Sequence, residues 1–186
     1  MVTGAEYSLQ AQSTKYDGLS YEKADCQKFA ELVLIDCGVK KPDGKPYDWK
    51  GSNSMWRNAL SWKGTVQECI EKFNGIPLGA WVFIVKRDGG EVERGYHDNE
   101  GNAKHIGIYV GSGNPYGDVR DSTETRTRDG VGYRKLEGFN MVGLPSMLDF
   151  THDATEFPLD FPIMDKVSKE EALIALETLT KYIKGV

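Results

Sequence analysis

The sequence predicts an α+β fold in which N-terminal helices pack on a central antiparallel β-sheet. Three observations support this prediction. A helical pattern follows Asp25, short runs rich in β-branched and aromatic residues occur between positions 80 and 144, and glycine contributes 21 of the 186 residues. Short strands need many turns, and glycine is frequent in turns because it adopts backbone conformations that other residues avoid. A chain of this length can bury the core of one domain.

The first helix is predicted over residues 25–37, where apolar side chains recur at helical spacing. Asp25 is a suitable N-cap because its carboxylate can accept a hydrogen bond from a free backbone N–H of the first turn. Gly38 is a suitable residue to end the helix in the left-handed conformation. These boundaries place Cys26 in the first turn of the helix.

Two short helices and a series of strands are predicted next. The pattern indicates helices over residues 52–60 and 65–73. Strands are predicted at 80–85, 105–111, 118–123, 131–136 and 140–144, in the order of an antiparallel meander. In the strand that begins at His105, alternate residues face opposite sides, so that His105 points away from the apolar side.

Residues 1–150 are predicted to form one domain, in which the polar segment 87–104 is an insertion loop. Residues 151–186 are predicted to form a proline-containing linker and a C-terminal helix. Ser168 and Glu171 provide a capping box at the start of that helix. The helix is expected to pack on the domain or on a partner.

Composition and charge exclude several classes of function. The formal net charge is −5 and no run of Lys or Arg stands out, so no nucleic-acid partner is expected. No apolar stretch approaches the roughly 20 residues that a membrane span needs, so no membrane partner is expected. Residues 1–12 lack the basic and apolar regions of a secretory signal peptide.

The three cysteines cannot form a fully paired disulfide framework, and their spacing matches no zinc motif, so no metal is predicted. A helix N-terminus favours the thiolate, the nucleophilic form of cysteine, and Cys26 has this position. Cys37 lies at the opposite end of the same helix. Cys69 lies beside Glu68 and Glu71, whose charges disfavour a thiolate. Position therefore ranks Cys26 first, although a buried apolar role is the alternative.

His105 is the best candidate for a general base, because His97 lies in a polar loop and His152 in the linker. A lone strand histidine is more often structural, but a cysteine at a helix start together with a histidine at a strand start is a more specific pair. If the hairpin turn is centred near Gly113, Asp121 falls opposite His105 and can orient its ring. A solvated strand residue is the alternative for Asp121.

Three segments resemble those of the NlpC-like bacterial cell-wall cysteine peptidases, a branch of the papain-like fold. Residues 24–29 (ADCQKF) resemble the family's Asp-Cys-Ser-Gly-Phe segment at a helix start. Residues 79–84 (GAWVFI) resemble its Gly-Asp-Leu-Val-Phe-Phe strand, and residues 105–111 (HIGIYVG) its His-Val-Gly-Ile-Tyr-Ile-Gly strand. The resemblance spans residues 16–150 and implies a papain-like domain with an additional C-terminal helix.

The resemblance implies that Cys26 is the nucleophile and His105 the base. The family then has a polar residue, usually histidine, in a Val-Ile-His-Ala-Ser-like strand. The corresponding residues 119–123 (VRDST) place Asp121 at the third position, which departs from the family pattern. A carboxylate holds an imidazolium more strongly than a second imidazole does.

The family also has a tyrosine upstream of the cysteine that helps to bind the oxyanion. Tyr21 is the closer match, and Tyr16 is the second. The predicted helices and the insertion loop are expected to wall the substrate cleft. Three residues of the first of these helices are candidates for its lining: Ser52, Asn53 and Trp56.

The activity implied by the resemblance is hydrolysis of the stem peptide of peptidoglycan by a Cys-His-Asp acyl-enzyme mechanism, with no metal or organic cofactor. The implied scissile bond joins D-glutamate to the diamino acid. Prophage lysins and tail-associated hydrolases are similar in lacking a signal peptide, which implies cytoplasmic synthesis and delivery to the cell wall by a phage particle. The alternatives are an N-acetylmuramoyl-L-alanine amidase of related fold and a non-catalytic tail or wall-binding protein. The departures from the family pattern at Gln27 and Asp121 leave the non-catalytic alternative open.

Overall fold

The computed structural model describes residues 24–86, 100–113, 115–124 and 129–150. In these residues the helices are α1 (Cys26–Asp36), α2 (Ser52–Asn58) and α3 (Val66–Phe73). The strands are β1 (Leu60–Thr65), β2 (Trp81–Lys86), β3 (Asn102–Tyr109), β4 (Val119–Glu124), β5 (Asp129–Arg134) and β6 (Met141–Pro145). A short 3₁₀ helix spans Leu136–Gly138. The predicted linker and C-terminal helix, and most of the predicted insertion loop, lie outside the described residues.

The strands form one six-stranded antiparallel sheet in the order β1-β6-β2-β3-β4-β5. The predicted α+β class is therefore confirmed. The predicted meander is wrong for the last strand, because β6 returns to pair with both β1 and β2. β1 was not predicted as a strand at all. Its sequence, LSWKGT, has little strand character, and its pairing with a strand far along the chain makes it one.

Both faces of the sheet are covered. α1 and α2 pack on one face, around the side chains of Phe29, Trp56, Phe83 and Ile106 among others. α3 and the 3₁₀ segment pack on the other face, against a second cluster that includes Val142. Alternate residues of each strand therefore meet different sets of partners. Among the described residues, no helix is long and apolar enough to cross a membrane.

The local signals at the ends of α1 act as the sequence predicts. The Asp25 carboxylate accepts a hydrogen bond of 2.7 Å from the backbone N–H of Lys28. Gly38 follows the helix with φ of 73°, a conformation that glycine adopts without strain. The next two predicted helices are also present, but α2 ends at Asn58 because β1 begins two residues later.

The register between β3 and β4 differs from the prediction. Ile108 pairs with Arg120 and Tyr109 with Val119, and these are the pairs that join the two strands. The turn is therefore centred one residue beyond Gly113. Continuing this register would place Gly107, and not His105, opposite Asp121. Because the ladder stops at Ile108, β3 and β4 diverge on the side where His105 lies.

Gly107 is a position at which any side chain would disturb this part of the sheet. A Cβ atom there would lie 2.4 Å from Val119 Cγ1 and 3.2 Å from the Phe139 ring, both of them buried. Gly107→Ala should therefore lower the free energy of unfolding by about 1–3 kcal/mol through overpacking. Urea denaturation measures this change.

Gly113→Ala is the matched control, because a Cβ atom at that position meets nothing within 4 Å. It should change the free energy of unfolding by less than about 0.5 kcal/mol. Equal effects of the two substitutions would show that the close contacts at Gly107 do not matter.

Candidate active site

Cys26 is the first residue of α1, and two hydrogen bonds fix the backbone around it. The Asp25 side chain caps the helix, and the Ser122 hydroxyl donates a hydrogen bond of 2.6 Å to the backbone carbonyl of Ala24. Ser122 is fully buried, so this bond ties the start of α1 to the middle of β4. As the first residue of a helix, Cys26 has a backbone N–H with no acceptor inside the helix.

His105 lies between Cys26 and Asp121. Its Nε2 atom is 2.6 Å from Oδ2 of the fully buried Asp121. An ionised carboxylate only accepts hydrogen bonds, so Nε2 carries the proton. The other ring nitrogen, Nδ1, is then the atom available to Cys26, whose side chain interacts with His105 closely enough to raise the pKa of the imidazole. The structure thus brings the predicted nucleophile, base and third residue together.

The contact between His105 and Asp121 is diagonal and does not depend on direct pairing of the two residues. Gly107 is the β3 residue that the register places nearest to Asp121, and Gly132 is its paired residue on β5. Neither glycine fills the space beside the carboxylate. Long side chains two residues away on each neighbouring strand can reach it, as expected for diagonal neighbours in a sheet.

The electrostatic environment favours the protonated form of His105. Burial acts to lower the pKa of its imidazole. The hydrogen bond to Asp121, the interaction with Cys26 and the charge of Asp121 outweigh burial and raise the pKa from 6.5 to about 9. At neutral pH the ring is therefore an imidazolium, which can donate a proton and balance a thiolate.

The environments of the other two cysteines oppose thiolate formation. Burial raises the pKa of the Cys69 thiol to about 11. Burial and the neighbouring Asp36 carboxylate raise the pKa of Cys37. These shifts agree with the ranking made from helix position, because a thiol with a raised pKa is mostly unreactive at neutral pH.

Two residues that sequence reasoning missed complete the surroundings of His105. The ring of Phe139 is stacked against the imidazole, with centroids 5.9 Å apart. Arg134 lies over the same phenyl ring at 5.0 Å and donates a hydrogen bond of 3.3 Å from Nη1 to Asp121 Oδ2. No local pattern could have identified them, because their role depends on strand register and on the path of the chain after β5.

Gln27, a departure from the family pattern, has a structural role here. Its Nε2 atom donates to Glu31 Oε1 at 2.5 Å and to the Trp49 carbonyl at 2.7 Å, and its Oε1 atom accepts from the Gly51 N–H at 2.9 Å. Both amide protons are therefore used, so Gln27 is not a free oxyanion donor. It holds the segment before α2 along α1.

Glu31 is a residue of α1 that sequence reasoning missed. It is fully buried, and burial raises the pKa of its carboxyl above 4.5 even though hydrogen bonds from Trp49, Gln27 and Lys28 act in the opposite direction. Its Oε1 atom accepts a bond of 2.7 Å from the Trp49 N–H. The Glu31 carboxylate and the Gln27 amide together fix the loop that flanks the start of α1.

The residues predicted to line a substrate cleft are buried in the packing of α2 against β3. Ser52 donates to the Ala103 carbonyl at 3.0 Å. Asn53 donates from Nδ2 to Asn102 Oδ1 at 3.0 Å and accepts at Oδ1 from the Ala103 N–H at 3.1 Å. Trp56 is 2% exposed. Their polar groups hold the start of β3, three residues before His105. The substrate site proposed below does not include these residues.

The predicted oxyanion residues, Tyr16 and Tyr21, lie outside the described residues. Within the described part of the chain, no group of three or more His, Cys, Asp or Glu side chains is arranged to hold a metal ion.

Comparison with known proteins adds no family assignment. No family model, no curated protein and no solved structure matches the chain.

The raised pKa of His105 predicts a specific dependence of stability on pH. The folded state holds this proton more tightly than the unfolded chain, in which the pKa is near 6.5. The resulting stabilisation is complete below pH 6.5 and is lost as the pH rises through about 9. Between these values, wild type should lose about 1–3 kcal/mol more of its free energy of unfolding than His105→Gln does. Urea denaturation at a series of pH values measures both proteins.

The comparison with His105→Gln removes the contribution of the other groups that titrate in this range, because those groups are present in both proteins. If the two stability curves run parallel from pH 6.5 to pH 9, His105 does not have a raised pKa in the folded protein.

Proposed function

We propose that this protein is a cysteine hydrolase that transfers the acyl group of an amide to Cys26 and then to water. One observation supports the proposal most directly. A cysteine at the start of a helix interacts with a histidine and raises the pKa of its ring, and a fully buried aspartate lies 2.6 Å from Nε2 of that histidine. A nucleophile, a base and an orienting group in this order are the parts that covalent acyl transfer requires.

The reaction begins when the Cys26 thiol has passed its proton to His105 Nδ1. The Cys26 sulfur forms a bond to the carbonyl carbon of the amide, and the carbonyl electrons move to oxygen. The backbone N–H of Cys26, which has no acceptor in the helix, stabilises that oxyanion. The C–N bond then breaks, and the His105 imidazolium gives its proton to the leaving amine.

Water completes the cycle. The neutral His105 takes a proton from water, whose oxygen attacks the thioester carbon. The C–S bond breaks, the carboxylic acid leaves, and the proton returns the cysteine–histidine pair to its starting state. Asp121 keeps Nε2 protonated throughout, so that Nδ1 is the nitrogen that exchanges protons.

The proposed fold is papain-like, and the proposed substrate is the stem peptide of bacterial peptidoglycan. Both rest on the resemblance of residues 24–29, 79–84 and 105–111 to the NlpC-like peptidases. The proposed scissile bond joins D-glutamate to the diamino acid, and the proposed setting is a phage lysin or tail-associated hydrolase. The hydrogen bonds of Gln27 support this reading, since they give that departure from the family pattern a role that does not interfere with catalysis.

Cys26→Ala should abolish the release of soluble fragments from purified peptidoglycan, a loss of at least about 10³-fold, because the proposed acyl intermediate forms on the Cys26 sulfur. Its melting temperature should remain within a few degrees of wild type. Cys37→Ala is the control, because it removes a thiol from the other end of α1 and should retain activity. An active Cys26→Ala protein would end the proposal.

Mass analysis of the wild-type products defines the bond that is cut. Cleavage between D-glutamate and the diamino acid leaves a dipeptide on the glycan strand, whereas an N-acetylmuramoyl-L-alanine amidase would release the whole stem peptide. The second result would replace the proposed scissile bond while leaving the acyl-transfer mechanism in place.

Alkylation provides a test that needs no substrate. At neutral pH, iodoacetamide should modify Cys26 faster than Cys37 or Cys69, whose pKa values are raised. Peptide mass mapping over time measures the three rates. His105→Gln should slow the modification of Cys26 because the imidazolium that balances the thiolate is absent, and equal rates in the two proteins would argue against the pair.

A further inference from the structure

Arg134, at the end of β5, lies beside the candidate active site and has no role in the mechanism above. Its Nη1 atom donates to Oδ2 of Asp121 at 3.3 Å, the same oxygen that accepts from His105 Nε2 at 2.6 Å. The carboxylate is fully buried, whereas the Arg134 side chain is 31% exposed. Arg134 therefore covers Asp121 on the side away from His105.

The strand register explains how two side chains reach one carboxylate. Asp121 pairs with Gly132 on β5, and Arg134 lies two residues further along that strand. On β3, His105 lies two residues before Gly107, the residue that the register places nearest to Asp121. The two cationic groups thus approach Asp121 diagonally from opposite neighbouring strands, across positions that have no side chain.

The His105 imidazole and the Arg134 guanidinium both pack against the ring of Phe139. Its ring is stacked on the imidazole, with centroids 5.9 Å apart, and the Arg134 guanidinium carbon lies 5.0 Å from its centre. Gly138 lies directly beside the guanidinium, since a Cβ atom at Gly138 would come within 2.9 Å of Arg134 Nη2. A planar guanidinium fits between this turn and the ring, where a lysine would make only a point contact.

We propose that Arg134 is a positioning residue, which fixes the Asp121 carboxylate so that Asp121 can hold His105 in the orientation that the reaction needs. The proposal rests on the function proposed above. Two hydrogen bonds from opposite sides leave the carboxylate little freedom to rotate, and the ring that it binds is restrained in turn. Arg134 acts through Asp121 and does not contact the reacting atoms.

A second consequence is electrostatic. Within the described ranges, the titratable and charged groups that face His105 are Cys26 from α1, Asp121 from β4 and, beyond the carboxylate, Arg134 from β5. The guanidinium takes part of the negative charge of Asp121 and repels the imidazolium. Both effects keep the His105 proton easier to transfer than it would be beside an unshared carboxylate, and transfer is most efficient when the pKa of the donor is close to the working pH.

The test compares wild type with Arg134→Met, which removes the charge and the hydrogen bond but keeps a long apolar side chain. NMR titration of the His105 ring, assigned by its absence in His105→Gln, should give a midpoint at least about 0.5 pH units higher in Arg134→Met. Using soluble stem-peptide fragments as substrate, kcat should fall about 10- to 100-fold, the range known for outer partners of catalytic groups, with little change in KM.

Arg120→Met is the matched control. Arg120 lies on β4, its guanidinium carbon is 4.5 Å from the centre of the Tyr133 ring, and its hydrogen bond goes to the Tyr133 hydroxyl. The substitution removes the same charge and a similar ring contact from the opposite face of the strand that carries Asp121. The His105 midpoint and kcat should remain close to wild type.

Arg134→Gln provides a second neutral variant should Arg134→Met fail to fold, and it should show the same upward shift and the same loss of kcat. An unchanged His105 midpoint in the folded neutral variant overturns the proposal, and so does an unchanged kcat. If wild type cleaves no stem peptide, the proposed function fails, and the NMR midpoint alone decides whether Arg134 controls the Asp121–His105 pair.

Discussion

The buried carboxylate of Asp121 is the group on which the rest of the site depends. A charge without access to water is costly unless hydrogen bonds and opposite charges compensate for it. Asp121 accepts hydrogen bonds from His105 and Arg134, one from each neighbouring strand. Asp121 pairs with Gly132 on β5, and the β3–β4 register, if continued, places Gly107 opposite it, so neither neighbouring position carries a side chain.

β4 also fixes the distance between nucleophile and base. Consecutive residues of a strand point to opposite faces, and here they serve opposite halves of the site. The Asp121 side chain holds His105, and the Ser122 hydroxyl holds the Ala24 carbonyl, two residues before Cys26. One short piece of extended backbone therefore sets the position of the imidazole and of the helix start. The backbone pairing of β3 with β4 ends at Ile108 and Arg120, so His105 and Asp121 lie beyond the paired segment.

The sequence was sufficient for features with local causes and insufficient for those that arise from pairing of distant segments. The limits of α1 follow from Asp25 and Gly38, and the positions of most strands follow from their apolar runs. The turn between β3 and β4 contains glycines at several positions, so its centre could not be fixed from the pattern. The predicted centre was wrong by one residue, which shifts the pairing of the two strands by two residues. Asp121 nevertheless contacts His105, because the side chains of diagonal neighbours in a sheet can reach each other.

The place of β6 in the sheet and the contacts of Arg134 and Phe139 had no local signal. β6 lies between β1 and β2, two strands that precede it by many residues. Arg134 and Phe139 acquire their roles only when β5 is in register and the following 3₁₀ turn folds back under His105. Sequence reasoning identified the three residues of the proposed catalytic group, but not Arg134 and Phe139, which lie against them.

The charge pattern of the site bears on whether it is active or decayed. With Cys26 as thiolate and His105 as imidazolium, four groups from three strands and a helix alternate in sign, ending at Asp121 and Arg134. Buried ion pairs of this kind contribute little net stability, and apolar residues of similar volume often replace them with a gain. A fully buried carboxylate between two cations is costly to keep, and orienting a catalytic imidazole is a function that would offset this cost. The third position in the resembling family is usually an imidazole, which carries no obligatory charge. A carboxylate at this position adds a negative charge. The positive charge of Arg134 balances it, so this chain has both the departure from the family pattern and a residue that compensates for the added charge. This pairing favours an active site over a decayed one.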